Sequence, residues 1–125
     1  MKNEVIIKTA DGLDLLATVY TPMESPKAGV LINSATAVKQ SYYHAFAQFL
    51  SKQGFIVVTY DYRGIGRSAI KNPRDKRLSM KAWGEYDLAT MIDWIQEEYS
   101  SVDWHCIGHS VGGQIIGFAS NNSQL

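Results

Sequence analysis

Gly108-His109-Ser110-Val111-Gly112 is the stretch of this sequence richest in chemistry. A serine with a glycine two residues to either side fits a turn in which a strand passes sharply into a helix and lifts a hydroxyl above the strand's end. The glycines let the two backbones approach while the serine holds a strained conformation. The amide of Val111, first in the new helix, then points at a developing oxyanion, so the implied chemistry is acyl transfer through the Ser110 hydroxyl. That hydroxyl is a weak nucleophile at neutral pH and requires a positioned base. Three histidines are available. His109 adjoins the serine but projects elsewhere by strand alternation. His105 shares its face deeper in the strand, and His44 falls on a helix where a polar surface position is the ordinary role. Asp61, Asp87, Asp93 and Asp103 all precede the serine and read as loop, helix-surface and turn residues. No histidine has companions at metal-ligand spacing, so no metal and no other cofactor is expected.

The elements that must carry Ser110 follow from period and punctuation. Val5-Ile6-Ile7 and Leu13 to Tyr20 are β-rich runs joined by Asp11-Gly12, which predicts a hairpin. The short apolar runs Ala28 to Asn33 and Phe55 to Tyr60 read as strands buried on both faces. Between them Tyr42, Tyr43, Phe46, Phe49 and Leu50 recur at helical spacing from Ser41 to Gln53, with Gly54 as a stop. Strand, helix, strand implies a parallel crossover. After a polar loop from Asp61 to Arg77, Ser79 is an N-cap candidate for a long helix marked by Trp83, Leu88, Met91, Ile92, Ile95 and Tyr99. Trp104 to Gly108 is a fifth strand, and Val111 to Ala119 a final helix. Residues 1–125 therefore read as one domain of the α/β class. The expected architecture has three layers, with an N-terminal antiparallel hairpin on a mostly parallel sheet of about five strands.

A second motif, Asp61-Tyr62-Arg63-Gly64-Ile65-Gly66-Arg67-Ser68, follows the fourth strand. Gly64 to Ala69 approximates a dinucleotide-binding loop, but Pro73 and a charged stretch separate it from the next helix, so no helix N-terminus is at hand for a pyrophosphate. Together with the serine turn, the motif closely resembles the α/β-hydrolase fold superfamily, and the resemblance extends over essentially the whole chain. Asn33 to Val38 is further similar to a bacterial subgroup of uncharacterised predicted hydrolases.

The resemblance implies that Ser110 is the nucleophile, that Val111 supplies one oxyanion amide and that Ala35 or Thr36, after the third strand, supplies the other. Many relatives carry His-Gly where this chain has Asn33-Ser34, which leaves the choice between the two amides open. Gly108 and Gly112 frame the turn, while Asp61, Arg63, Gly64, Gly66 and Ser68 form a structural loop. In this superfamily the triad acid and histidine follow the serine. The expectation is thus a hydrolase domain truncated before them, acting on small ester or acyl substrates and impaired or inactive alone. The alternative is a non-catalytic module that keeps the turn as architecture. A truncated sheet would also leave the serine strand as an apolar edge open to self-association.

Composition narrows the partners. Twelve basic residues balance twelve acidic ones and none gather into a stripe, so neither nucleic acid nor an anionic membrane is an expected partner. Charges interrupt the N-terminal apolar run at once, so no signal or spanning segment is read there. The lone Cys106 among apolar neighbours reads as core filling in a reducing, cytoplasmic setting. Trp83, Trp94 and Trp104 read as packing aromatics.

Overall fold

Alternating side chains over the first twenty residues fold back on themselves about Asp11-Gly12. In the computed structural model, which describes residues 1–125 throughout, β1 (Lys2–Lys8) pairs antiparallel with β2 (Asp14–Tyr20), from Lys2 opposite Tyr20 to Lys8 opposite Asp14. Three further strands, β3 (Gly29–Asn33), β4 (Ile56–Tyr60) and β5 (Trp104–Gly108), complete one sheet in the order β1-β2-β4-β3-β5. β4 and β5 both run parallel to β3, whereas β2 runs antiparallel to β4. The sheet is mixed: a parallel half carries the crossovers, and the hairpin extends it on one side. β5 is an edge strand.

Every residue of β3 and β4 is buried, as continuous apolar runs require when helices cover both faces. On one face Leu31, Ile56, Val58 and Tyr60 join Trp83, Leu88, Met91, Ile92 and Ile95 in a core of eighteen buried residues. On the other, Val30, Ile32 and Val57 meet Tyr43 and Ala47 in a core of six. Each fully buried aliphatic side chain contributes about 1.5–3 kcal/mol, so most of the hydrophobic stabilisation lies on the first face. These are the three layers expected.

The helices depart from ideal runs for identifiable reasons. The segment expected to be helical from Ser41 begins as a 3₁₀ turn, Gln40–Tyr43, before α1 (His44–Lys52). That turn aims the Gln40 side chain inward, where it hydrogen-bonds Asp61, Thr18 and Thr59. Ser79 is the N-cap foreseen, its Oγ accepting from the Ala82 amide at 3.0 Å. The helix it opens, α2 (Met80–Ala82), widens into a π segment, Trp83–Leu88, and resumes as α3 (Ala89–Glu98). The extra residue per turn keeps Trp83, Gly84, Asp87 and Leu88 all on the buried side. After Ser110, α4 spans only Val111–Gln114, and a 3₁₀ turn, Ile115–Phe118, replaces the expected continuation. Gly112, Gly113 and Gly117 weaken the helix there. No helix is long and apolar enough to cross a membrane.

Candidate active site

Parallel pairing sets Asn33 opposite Gly108, so the segments leaving β3 and β5 emerge side by side. At the end of β5, Ser110 has φ 57° and ψ −116°, a conformation that costs a non-glycine residue about 1–3 kcal/mol. The flanking glycines are a matter of space. A Cβ on Gly108 would lie 2.4 Å from the Gly113 nitrogen, and one on Gly112 would lie 2.4 Å from the carbonyl oxygen of Asn33.

Asn33 fastens the turn to β3. It is fully buried, donates from Nδ2 to the Gly112 carbonyl at 3.0 Å and accepts the Tyr60 hydroxyl proton at 2.7 Å. Its own carbonyl accepts from the His109 amide at 3.1 Å. Over-determined in this way, the turn holds Ser110 exposed, with no hydrogen bond to its Oγ. The Val111 amide, at the helix N-terminus, likewise has no acceptor within the chain.

The segment after β3 supplies the opposing wall. Tyr62 donates to the Ser34 carbonyl at 2.7 Å, and the Val38 amide closes a turn onto the Ala35 carbonyl at 3.2 Å. Ala35 is buried and its amide donates to the Tyr43 hydroxyl at 3.0 Å. Thr36 is exposed with its amide unengaged, and Ala37 takes φ 58°, the second strained non-glycine residue of the chain. The structure therefore brings Ser110, Val111, Ala35 and Thr36 to one end of two adjacent strands.

No imidazole serves the serine. His109 turns away, its Nδ1 2.8 Å from the Tyr43 hydroxyl. His44 pairs through Nδ1 with the Tyr20 hydroxyl at 2.9 Å, and His105 is exposed along the edge strand. Cys106 is partly buried, and burial pushes its thiol up to about 12, which leaves it protonated and inert at neutral pH.

The Asp61 loop is a separate construction. Asp61, 1% exposed, accepts from the Gln40 amide, from Gln40 Nε2 and from the Arg67 amide. Gly64 and Gly66 make its left-handed steps, and Ser68 Oγ accepts from the Leu16 amide at 2.9 Å. Arg63 is the largest fully buried side chain. Its guanidinium donates to both carboxylate oxygens of Asp11, at 2.6 and 2.8 Å, and to Asp87 at 2.9 Å through Nε.

Asp87 also accepts the Arg63 amide at 2.8 Å and is wholly buried, so its reading as a helix-surface residue is corrected: the π segment turns it inward onto Arg63. The two carboxylates titrate in opposite directions. Desolvation pushes Asp87 up to about 6 against the pull of Arg63, whereas the hydrogen bond from Arg63 holds the more exposed Asp11 below the usual range.

Sequence reasoning passed over Asn33, Gln40 and Tyr43 as site-building residues. Only Tyr43 offered a signal, since an aromatic on a core face must still find a partner for its hydroxyl.

Comparison with known proteins gives consistent results. Residues 24–120 match the family described as serine aminopeptidase, S33. The chain is 28% identical over 107 residues to a monoacylglycerol lipase of Mycolicibacterium smegmatis, covering 84% of this chain and 36% of that protein. It is 27% identical over 108 residues to a monoglyceride lipase of Rattus norvegicus, covering 85% of this chain and 34% of the relative. The chain thus spans about a third of the length of these relatives.

Among solved structures, a thermostable carboxyl esterase from Bacillus coagulans superposes with a TM-score of 0.82 at 24% identity, over 98% of this chain and 41% of that one. The α/β hydrolase GrgF from Penicillium sp. sh18 superposes with a TM-score of 0.84 at 19% identity, over 100% of this chain and 43% of the other. At these identities the structural likeness carries the fold.

Proposed function

We propose, for a chain that belongs to the serine aminopeptidase S33 family of α/β hydrolases, that Ser110 is the nucleophile of an ester- or acyl-cleaving reaction. The observation that carries this reading is the Ser110 turn: a strained, exposed serine with a free hydroxyl, followed by an unengaged amide at a helix N-terminus. Attack of Oγ on an ester carbonyl gives a tetrahedral oxyanion, which the Val111 amide stabilises together with an amide of the loop after β3; of the two candidates there, the Thr36 amide is free, whereas that of Ala35 is given to the Tyr43 hydroxyl. Collapse then releases the alcohol and leaves an acyl-serine for water to cleave. Lipase and esterase relatives support small esters, monoacylglycerols among them, as the substrate class.

With no imidazole on Ser110 Oγ, the proton must leave to a group outside these 125 residues or to water. The chain alone therefore acylates slowly, because oxyanion donors without a triad retain only part of the catalysis. Self-association through β5 belongs to the same reading, supported by its unpaired edge and the 39% exposed Ile107. A reducing, cytoplasmic setting suits the free thiol of Cys106.

The test is labelling by a serine-directed fluorophosphonate, with p-nitrophenyl acetate turnover on the same samples. Labelling and turnover should both be detectable and should both vanish in Ser110→Ala. A folded wild type that takes up no probe would remove the nucleophile reading.

A further inference from the structure

A backbone amide has one proton to give, and that of Ala35 gives it to the Tyr43 hydroxyl at 3.0 Å. Having accepted there, the hydroxyl has its own proton to place, and the acceptor at hand is Nδ1 of His109, 2.8 Å away. Were His109 the donor instead, the Tyr43 proton would be stranded on a part-buried oxygen with no acceptor, an arrangement that burial penalises. The direction is therefore Ala35 N–H to Tyr43 O–H to His109 Nδ1, and the imidazole proton sits on Nε2. Tyr43 itself is 8% exposed and its ring meets the His109 ring edge-on, at 84° and 5.9 Å between centroids. Its position is thus set by packing as well as by the two hydrogen bonds.

These contacts join the loop after β3 to the residue immediately before the serine, complementing the Asn33 side-chain bond to the Gly112 carbonyl just after it. An oxyanion site built from one amide of each segment depends on their separation, and misplacement by about 1 Å costs on the order of 100-fold in rate. We propose that Tyr43 is a positioning residue, whose hydroxyl fixes the spacing between the Ala35 loop and the Ser110 turn. Its catalytic consequence rests on the reading of Ser110 as nucleophile; the spacing role stands on geometry alone. The hydroxyl also occupies the place that an oxyanion bound to the Ala35 amide would take. Because Tyr43 is packed and buried, the structure favours a fixed spacer over a displaceable occupant.

The experiment compares wild type with Tyr43→Phe, which keeps the ring and removes the bridge, and with His109→Phe, which leaves the Ala35 bond in place. Nitrogen NMR of the wild-type imidazole should show His109 Nδ1 as an unprotonated acceptor, and the Ala35 amide should be protected from exchange. In Tyr43→Phe the imidazole signals should move toward a mixture of tautomers, and Ala35 protection should fall by about tenfold or more. Fluorophosphonate labelling of Ser110 should slow by about tenfold, less than removal of an oxyanion donor outright. In His109→Phe, Ala35 protection should persist.

Unchanged exchange and imidazole signals in Tyr43→Phe would overturn the proposal. So would faster labelling, which would make Tyr43 an occupant of the oxyanion site. Should wild type not label at all, the nucleophile reading fails by itself, and the exchange and imidazole signals still decide the spacing role.

Discussion

The loop after β4 and the turn after β5 leave the same end of the parallel strands, yet they treat their polar groups in opposite ways. In the first, Arg63 is fully buried and its guanidinium is spent on Asp11, Asp87 and the Arg77 carbonyl, while the Asp61 carboxylate is filled by Gln40 and Arg67. In the second, the serine hydroxyl and the Val111 amide have no partners and the backbone is held in strain. Both are rich in glycine and serine, so composition does not separate them. Satisfaction does: a loop whose donors and acceptors are all consumed internally stabilises the fold, and one that keeps them free is equipped to meet a ligand.

The comparison breaks most severely if Arg63 can be removed without harm. Arg63→Met strands Asp87 in the interior and removes both carboxylate contacts of the partly exposed Asp11, and breaking the buried Arg63–Asp87 pair in this way costs about 3–5 kcal/mol. Urea unfolding at neutral pH should show that loss, while labelling of Ser110 per folded molecule stays close to wild type.

A finer probe is pH. The folded Asp87 holds its proton up to about 6, above its ordinary 3.8, so between those values the native state binds a proton that the unfolded chain has released. Its contribution to stability is full below about pH 4 and is lost as the pH rises through 6. The decline is on the order of 2 kcal/mol. Asp11 acts oppositely, its contribution being lost as the pH falls below the usual carboxylate range. Unfolding free energies at pH 4 to 7 should decline for wild type and lack that decline for Asp87→Asn. A shared profile would place the charge elsewhere.

The smallest expected effect has the reverse sign. Ser110→Gly relieves the positive φ, so stability should rise by about 1 kcal/mol while all labelling is lost. Destabilisation would mean that the turn's strain is not where its geometry locates it.

The same contrast explains which parts were legible in the sequence. Strands β3 and β4 announce themselves because burial on both faces demands continuous apolar runs, and the serine turn because close backbone approach demands glycine at fixed offsets. These are local constraints. Asp87 was not legible, since a carboxylate at a polar helix position has two destinations, solvent or a buried arginine 24 residues away, and only the tertiary fold chooses. The π segment that turns it inward has no local residue code. Tyr43 was legible as a core aromatic but not as a bridge, because its two partners come from the β3 loop and from beyond β5. The expected helix to Ala119 ran past what three glycines support.

The pairing of β5 with β3 bears finally on the order of assembly. Gly29 meets Trp104 across most of the length of the chain, and β4, which comes between them in sequence, lies on the other side of β3. The entropy of closing so long a loop must be met before its contacts form, whereas the hairpin and the β3–β4 crossover close over shorter spans. The serine strand is therefore expected to dock onto a sheet whose other members are already paired, with the Ser110 turn acquiring its geometry in that step.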